Sequence, residues 1–355
     1  MDAHKKTRLS RPIVAAVLLL AVLLVALALR ERSLRSPQSA APAAATTELF
    51  AMDTVMHLTA FGDGAETALK TARAELLRLD ALWSVTSATS ELAELNIAKA
   101  LTVSTETMSI LETAERVRAL SDGAFNIAIR PAVLAWGFTT DEPRIPAPQE
   151  LSVLRETVSA TRLTLDGDTV TLLGDADCAL DFGAIAKGAA AQRVIDLLRE
   201  SGIESAIVQL GGNVQTLGTK PNGEPWSIGV QDPRDPAALV GTLKLADVAA
   251  VTSGGYQRFF ERDGELYHHI LDPKTCAPAA SGLISATIVT PDGTLADALS
   301  TATFVLGLDG ATALWRSGEL DFDMLLIAAD GTIYVTAPLA DAFTPRDGER
   351  VVVIE

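Results

Sequence analysis

The chain has 355 residues, 48% of them hydrophobic and 21% charged, with a formal charge of -16. That composition belongs to a folded protein rather than a disordered one. Seven Lys and Arg against Asp2 and Glu31 make residues 1–45 net +5, leaving -21 on the remainder, and aromatics are only 5%. So acidic and aromatic-poor a body excludes a nucleic-acid platform and implies that a phosphorylated ligand would need a divalent cation beside it.

The N-terminal segment reads as an address. Ile13 to Leu29 is an unbroken apolar run preceded by Lys5, Lys6, Arg8 and Arg11. A basic flank before a short apolar core is the export pattern. Arg30, Glu31 and Arg32 follow without a small-residue cleavage site, so 1–30 reads as an uncleaved signal anchor with its N-terminus inside. A signal cut near Ala43–Ala45 is the alternative. Residues 31–47, rich in Ser, Pro and Ala, read as a linker. The body, 48–355, is then expected outside the cytoplasm at the cell membrane.

Within the body, Leu49–Phe61 reads as a strand. Ala65–Trp83, Ser90–Asn96 and Ser104–Ser121 read as helices, the last two opened by capping serines. Ala132–Phe138 is short and apolar, and 139–150 reads as loop. Leu163–Leu165, Thr169–Leu173 and Ala179–Phe182 read as short strands, Ala184–Ser201 as a helix and Ala206–Leu210 as a strand. Further strands are expected at Trp226–Gln231, Val248–Thr252, 266–270 and 284–290. A helix over Leu295–Val305 follows, then strands at Asp323–Ala328, Thr332–Thr336 and Val351–Ile354. Hairpins outnumber strand–helix alternations, which predicts a single α+β domain with mixed, largely antiparallel sheets and packed helices. Cys178 and Cys276 read as buried thiols whose pairing the sequence leaves open.

Five stretches combine Gly, Asp, hydroxyls, Lys and His beyond what packing demands. In Asp181-Phe-Gly-Ala-Ile-Ala-Lys-Gly188 small residues open a helix, offering backbone N–H groups near Lys187 to an anion. Leu210-Gly-Gly-Asn213 and Thr252-Ser-Gly-Gly-Tyr256 follow apolar strands and allow close backbone approach. In His268-His-Ile-Leu-Asp-Pro273 the two histidines face opposite ways on a strand, so one of them lines a given pocket. In Ala296-Asp-Ala-Leu-Ser-Thr301, Asp297 and Thr301 share a helix face and supply hard oxygen ligands.

These stretches, together with Met52-Asp-Thr54, Ser84–Asn96 and Asp122–Phe138, resemble in order and spacing the ApbE family of FAD:protein FMN transferases. The resemblance covers about 250 residues. It implies the family's T-fold-like domain and transfer of FMN from FAD to a Ser or Thr hydroxyl of a separate acceptor protein, with release of AMP. It implies FAD contacts at Met52, Ala124, Phe125, Asn126, Asp181, Lys187 and Leu271. It implies Mg2+ held by the side chains of Asp297 and Thr301 and the carbonyl of Ala184, and His269 as base. Other readings of the same body are an FAD pyrophosphatase, a non-catalytic flavin-binding surface protein and a flavin-free binding protein. Three positions depart from the family pattern. Asn126 stands for the Asp of Gly-x-Phe-Asp, no aromatic lies near Thr86, and Cys276 stands for the Gly of Pro-x-Thr-Gly. Asp309-Gly-Ala-Thr312 resembles a flavin-acceptor sequence but reads as the start of a helix, so the acceptor is expected to be another protein.

Overall fold

Alternating burial along the strands and three- and four-residue spacing along the helices build the molecule around one large sheet. The computed structural model describes residues 43–355 apart from residue 141. The signal anchor expected at 1–30 lies outside the described residues. Among those described, no helix is long and apolar enough to cross a membrane.

The central sheet has nine strands. They are β1 (Ala44–Ala51), β2 (Thr54–Phe61), β3 (Ser205–Leu210), β4 (Asn213–Leu217), β5 (Ala249–Gly254), β6 (Leu283–Thr290), β7 (Asp323–Ala328), β8 (Ile333–Thr336) and β9 (Val351–Ile354). Their order in space is their order in the chain. Neighbours are antiparallel throughout, except that β8 and β9 are parallel. The helices are α1 (Ala65–Trp83), α2 (Glu91–Ala98), α3 (Thr105–Leu120), α4 (Arg130–Trp136), α5 (Pro148–Ala160), α6 (Ala186–Glu200), α7 (Gly293–Arg316) and α8 (Ala337–Ala340).

The main core lies between one face of this sheet and helices α1, α3, α6 and α7. Leu69, Leu76, Val194, Leu198, Leu299 and Phe304 meet Leu58, Val208 and Ile288 there. The opposite face is covered by a three-stranded sheet of Trp226–Asp232, Asp235–Leu245 and Phe343–Pro345 through Trp226, Val240, Leu243 and Phe343. A satellite cluster joins α4 and α5 to the hairpin Phe259–Arg262/Glu265–His268 around Trp136, Phe260 and Tyr267.

Several elements differ from expectation. Leu49–Phe61 is not one strand. Met52 and Asp53 adopt φ of 48° and 58°, reversing the chain into the β1–β2 hairpin. Strand β1 already begins at Ala44, inside the expected linker. Ala179–Phe182 forms no strand, because the Asn96 side chain takes its place. The Leu180 N–H donates to Asn96 Oδ1 (2.7 Å) and Asn96 Nδ2 donates to the Leu180 carbonyl (2.9 Å). Both cysteines are free and buried.

Candidate functional site

In an antiparallel meander alternate connections emerge at the same end of the sheet. The Met52–Asp53 turn, the Gly211–Gly212 turn, the segment after β5 and the start of β6 share one such end. Helix α6 leads into β3 through a short turn, and α7 follows β6 after two residues. Each therefore runs back along its strand, so the N-terminus of α6 and the middle of α7 approach this end.

The two helices meet at glycine. A Cβ on Gly188 would lie 2.2 Å from the Gly293 carbonyl oxygen and 2.5 Å from Asp297 Cβ, so only glycine permits the crossing. There the Gly188 N–H donates to Asp297 Oδ2 (2.8 Å). The carboxylate thus sits on the first turn of α6, where backbone N–H groups are otherwise unpaired. The anion seat expected at 181–188 is occupied in part by the protein's own aspartate.

One turn from Asp297, Thr301 Oγ1 lies 3.2 Å from Ser253 Oγ, which also bonds Ser300 Oγ at 2.7 Å. Among the described residues no hydrogen bond reaches Asp297 Oδ1, and no backbone N–H donates to the Ala184 carbonyl. One carboxylate oxygen, one hydroxyl and one carbonyl therefore have free lone pairs where α6 and α7 cross. These are hard donors, and they are too few to surround a cation without further oxygens from a ligand or water. Among the described residues no group of three or more His, Cys, Asp or Glu is placed to hold a metal. The donor set fits Mg2+ shared with phosphate and does not fit an all-protein cage.

A layer behind this crossing fixes its register. Gln192 Oε1, on α6, accepts from the Gly293 N–H (2.9 Å) and from Gln215 Nε2 on β4 (2.7 Å). Gln192 Nε2 donates to Asp196. Asp292 caps α7 by accepting from Thr294 and Leu295.

His269 follows the outer hairpin. Its Nδ1 lies 3.1 Å from the Arg258 carbonyl. A carbonyl only accepts, so Nδ1 carries the proton and Nε2 is left as the free acceptor. Burial, aided by the charges of Arg258 and Lys187, brings the imidazole pKa down to about 4, so the ring is neutral at pH 7. His268 faces away, as expected. Its Nε2 lies 3.2 Å from the Ala279 carbonyl and its ring stands edge-on to Phe304.

The remaining expected ligand contacts surround this end. Met52 donates its N–H to Asp80 (2.9 Å). Ala124, Phe125 and Leu271 are buried, so a ligand would reach them mainly through backbone. Asn126 caps the short helix after it by accepting from the Ala128 N–H (2.9 Å). Amide and carboxylate cap equally well, so this cap does not depend on which of the two stands here. Asp181 Oδ1 accepts from the Gly183 N–H (2.8 Å) and Oδ2 from Arg130 (3.2 Å). Lys187 Nζ rests on the Gly183 carbonyl at 3.2 Å.

Arg130 had no distinguishing signal in the sequence. It ties Asp181 to the Val85 carbonyl and so joins three segments of the site. Arg258 was likewise unmarked. It pairs with Asp53 across the site end and holds His269 through its carbonyl.

The fold and these groups define a class, an α+β protein with a largely antiparallel central sheet and free oxygen donors where two helices cross. The ApbE family model matches residues 52–326, and the chain belongs to that family. A FAD:protein FMN transferase of Klebsiella pneumoniae is 34% identical over 281 residues, covering 78% of this chain and 87% of that protein. One of Treponema pallidum is 36% identical over 262 residues, covering 69% and 71%. Among solved structures, the ApbE protein of Thermotoga maritima superposes with a TM-score of 0.78 at 29% identity, covering 86% of this chain and all of that one. The apo flavinyl transferase ApbE of Pseudomonas stutzeri does so with 0.74 at 28%, covering 85% and 97%.

Proposed function

We propose that the protein is a Mg2+-dependent FAD:protein FMN transferase acting on a Ser or Thr hydroxyl of a separate extracytoplasmic protein. The observation that carries this reading is the α6–α7 crossing. Asp297, Thr301 and the Ala184 carbonyl present free oxygens there beside a helix N-terminus, at the same end of the sheet as a neutral histidine. The relatives named above support the activity. The apolar, basic-flanked run at 13–29 supports membrane anchoring through 1–30, with the body outside the cytoplasm.

In this reading Asp297, Thr301 and Ala184 hold Mg2+, which offsets pyrophosphate charge in the transition state. Lys187 and the first turn of α6 add positive potential to the same phosphates. Met52, the backbone of Ala124–Asn126, Asp181 and Leu271 contact FAD. The acceptor hydroxyl oxygen bonds to the FMN-side phosphorus, the bridging P–O bond breaks and AMP departs. His269 Nε2 takes the hydroxyl proton. The Arg258 carbonyl holds the ring in the tautomer that leaves Nε2 free.

The test incubates the full chain with FAD, Mg2+ and a candidate acceptor domain, then reads acceptor mass and AMP together. An FMN increment with matching AMP, both lost on adding EDTA, is the expected result. AMP without acceptor modification would make water the acceptor and the protein a pyrophosphatase. Bound FAD with neither product would leave a flavin-binding protein.

A further inference from the structure

Asn213 ends the Leu210-Gly-Gly-Asn213 turn, and nothing in the site so far uses its side chain. The residue is 2% exposed, yet among the described residues its buried Nδ2 has no hydrogen-bond partner. Buried donors are almost always satisfied, so an orphaned one needs explanation.

Register supplies it. Gln215, two residues along β4 on the same face, bonds Gln192 of α6, and a Cβ on Gly293 of α7 would lie 2.3 Å from Gln215 Oε1. These three residues form one layer. Helix α6 runs along β4 and α7 runs against it. Going back from Gln215 to Asn213 covers about 6.6 Å of strand. The matching step of one turn, about 6 Å, leads from Gln192 to Gly188 on α6 and from Gly293 to Asp297 on α7. Gly188 and Asp297 are the pair already joined at 2.8 Å. Asn213 therefore lies in the layer of Gly188 and Asp297, beneath the free oxygens of the crossing.

We infer that Asn213 is a ligand-binding donor of this site, its side-chain N–H completed by an oxygen of the metal–pyrophosphate assembly. The inference rests on the transferase reading and deepens it. Until that oxygen arrives the N–H is unpaired. Removing it should therefore spare the free protein and weaken the complex, the opposite of what removing a structural residue does.

The experiment compares the full wild-type chain with Asn213→Leu, Asn213→Asp and Asp297→Ala. It reads the Tm of the metal-free protein and the affinity for FAD in the presence of Mg2+ by calorimetry. Asn213→Leu should keep or raise the metal-free Tm and bind FAD about 10- to 100-fold more weakly. Asn213→Asp has the same shape but no N–H, and should weaken FAD at least as much, which covers the case in which the Leu variant does not fold. A lower metal-free Tm with wild-type FAD affinity in either variant would overturn the inference and make Asn213 structural. Wild-type affinity in Asp297→Ala as well would overturn the site reading itself.

Discussion

The closest approach of α6 and α7 makes Gly188 the most exposing single position in the fold. In Gly188→Ala the new Cβ would meet the Gly293 carbonyl oxygen at 2.2 Å and Asp297 Cβ at 2.5 Å. Both distances are more than about 1 Å inside ordinary contact. Both obstacles lie on or next to backbone, so no rotamer change relieves them, and the helices must part by about that much. The Gly188 N–H to Asp297 Oδ2 bond, 2.8 Å long, would then pass about 3.5 Å and be lost. Overpacking costs about 1–3 kcal/mol, and a lost bond to a charged group about 1.5–3 kcal/mol. The helix propensity of Ala returns up to about 1 kcal/mol. The net expectation is a loss of about 1.5–6 kcal/mol in stability. If the proposed Mg2+ site is right, the half-saturating Mg2+ concentration for FAD turnover should rise at least about tenfold, because Asp297 on α7 is displaced from the Ala184 carbonyl at the start of α6. Urea denaturation and a Mg2+ titration measure the two effects. Stability within about 0.5 kcal/mol of wild type, with an unchanged Mg2+ requirement, would refute the claim that this contact sets the site.

Three further perturbations test other parts of the argument. As the base proposed above, His269 must be unprotonated to accept the hydroxyl proton. The kcat/KM for flavinylation should therefore hold from neutral pH downward and fall as pH drops through about 4. The acid limb of kcat should lie higher, since bound pyrophosphate favours the imidazolium, and coincident limbs would deny the ring that role. Cys276 holds φ of 54° while buried, a conformation costing an L-residue about 1–2 kcal/mol. Cys276→Gly should change stability by less than about 1 kcal/mol, relief of strain offsetting lost packing. Cys276→Val, β-branched and of similar size, should cost more than about 2 kcal/mol in the same denaturation assay. Asp232 is held by Arg234 and Arg346, and hydrogen bonding to Arg234 chiefly takes its pKa down to about 2 from 3.8. A depressed carboxylate stabilises the fold above its unfolded pKa and loses that effect as pH falls through its folded one. The stability gap between wild type and Asp232→Asn should be about 2 kcal/mol of ionic contribution near neutrality and should close between pH 4 and pH 2. A gap independent of pH would show that the pair is not ionic in effect.

Local signals made much of this molecule legible in its sequence. Helix α1 follows apolar spacing from Ala65 to Trp83. Helices α2 and α3 begin after Ser90 and Ser104, whose hydroxyls accept from Ala93 and Thr107. Asp297 and Thr301 were legible because four-residue spacing on a helix is a geometric statement in itself. What stayed hidden depended on distant partners. Met52 and Asp53 reverse the chain without a glycine. Helix α5 buries only Thr157 and Val158, so its periodicity is faint. Strand Asp235–Leu245 carries Pro236 and Gly241, which read as breakers. It tolerates Gly241 because a Cβ there would meet the Phe343 ring at 2.5 Å. Gln192, Gln215 and Arg130 are ordinary polar residues in sequence, and only their partners across the fold give them a purpose.

The topology explains why stretches so far apart in the chain act together. Each strand from β2 to β8 turns back beside its predecessor, so the segments after β1, β3 and β5 return to one end of the sheet. The long insertions, Gly62–Glu204, Gly218–Val248 and Gly255–Gly282, leave and re-enter the meander without disturbing strand order. Helix α6 leads into β3 and helix α7 leads from β6 to β7, and α6 begins at the end of the sheet toward which α7 runs. Their crossing therefore has to fall close to the Met52 turn, to Asn213 at the start of β4 and to Ser253 near the end of β5. A single residue without a side chain, Gly188, then decides how closely the two helices meet. The site is the place where the meander's alternate turns and its two return helices converge, and its spacing in the sequence reflects that path.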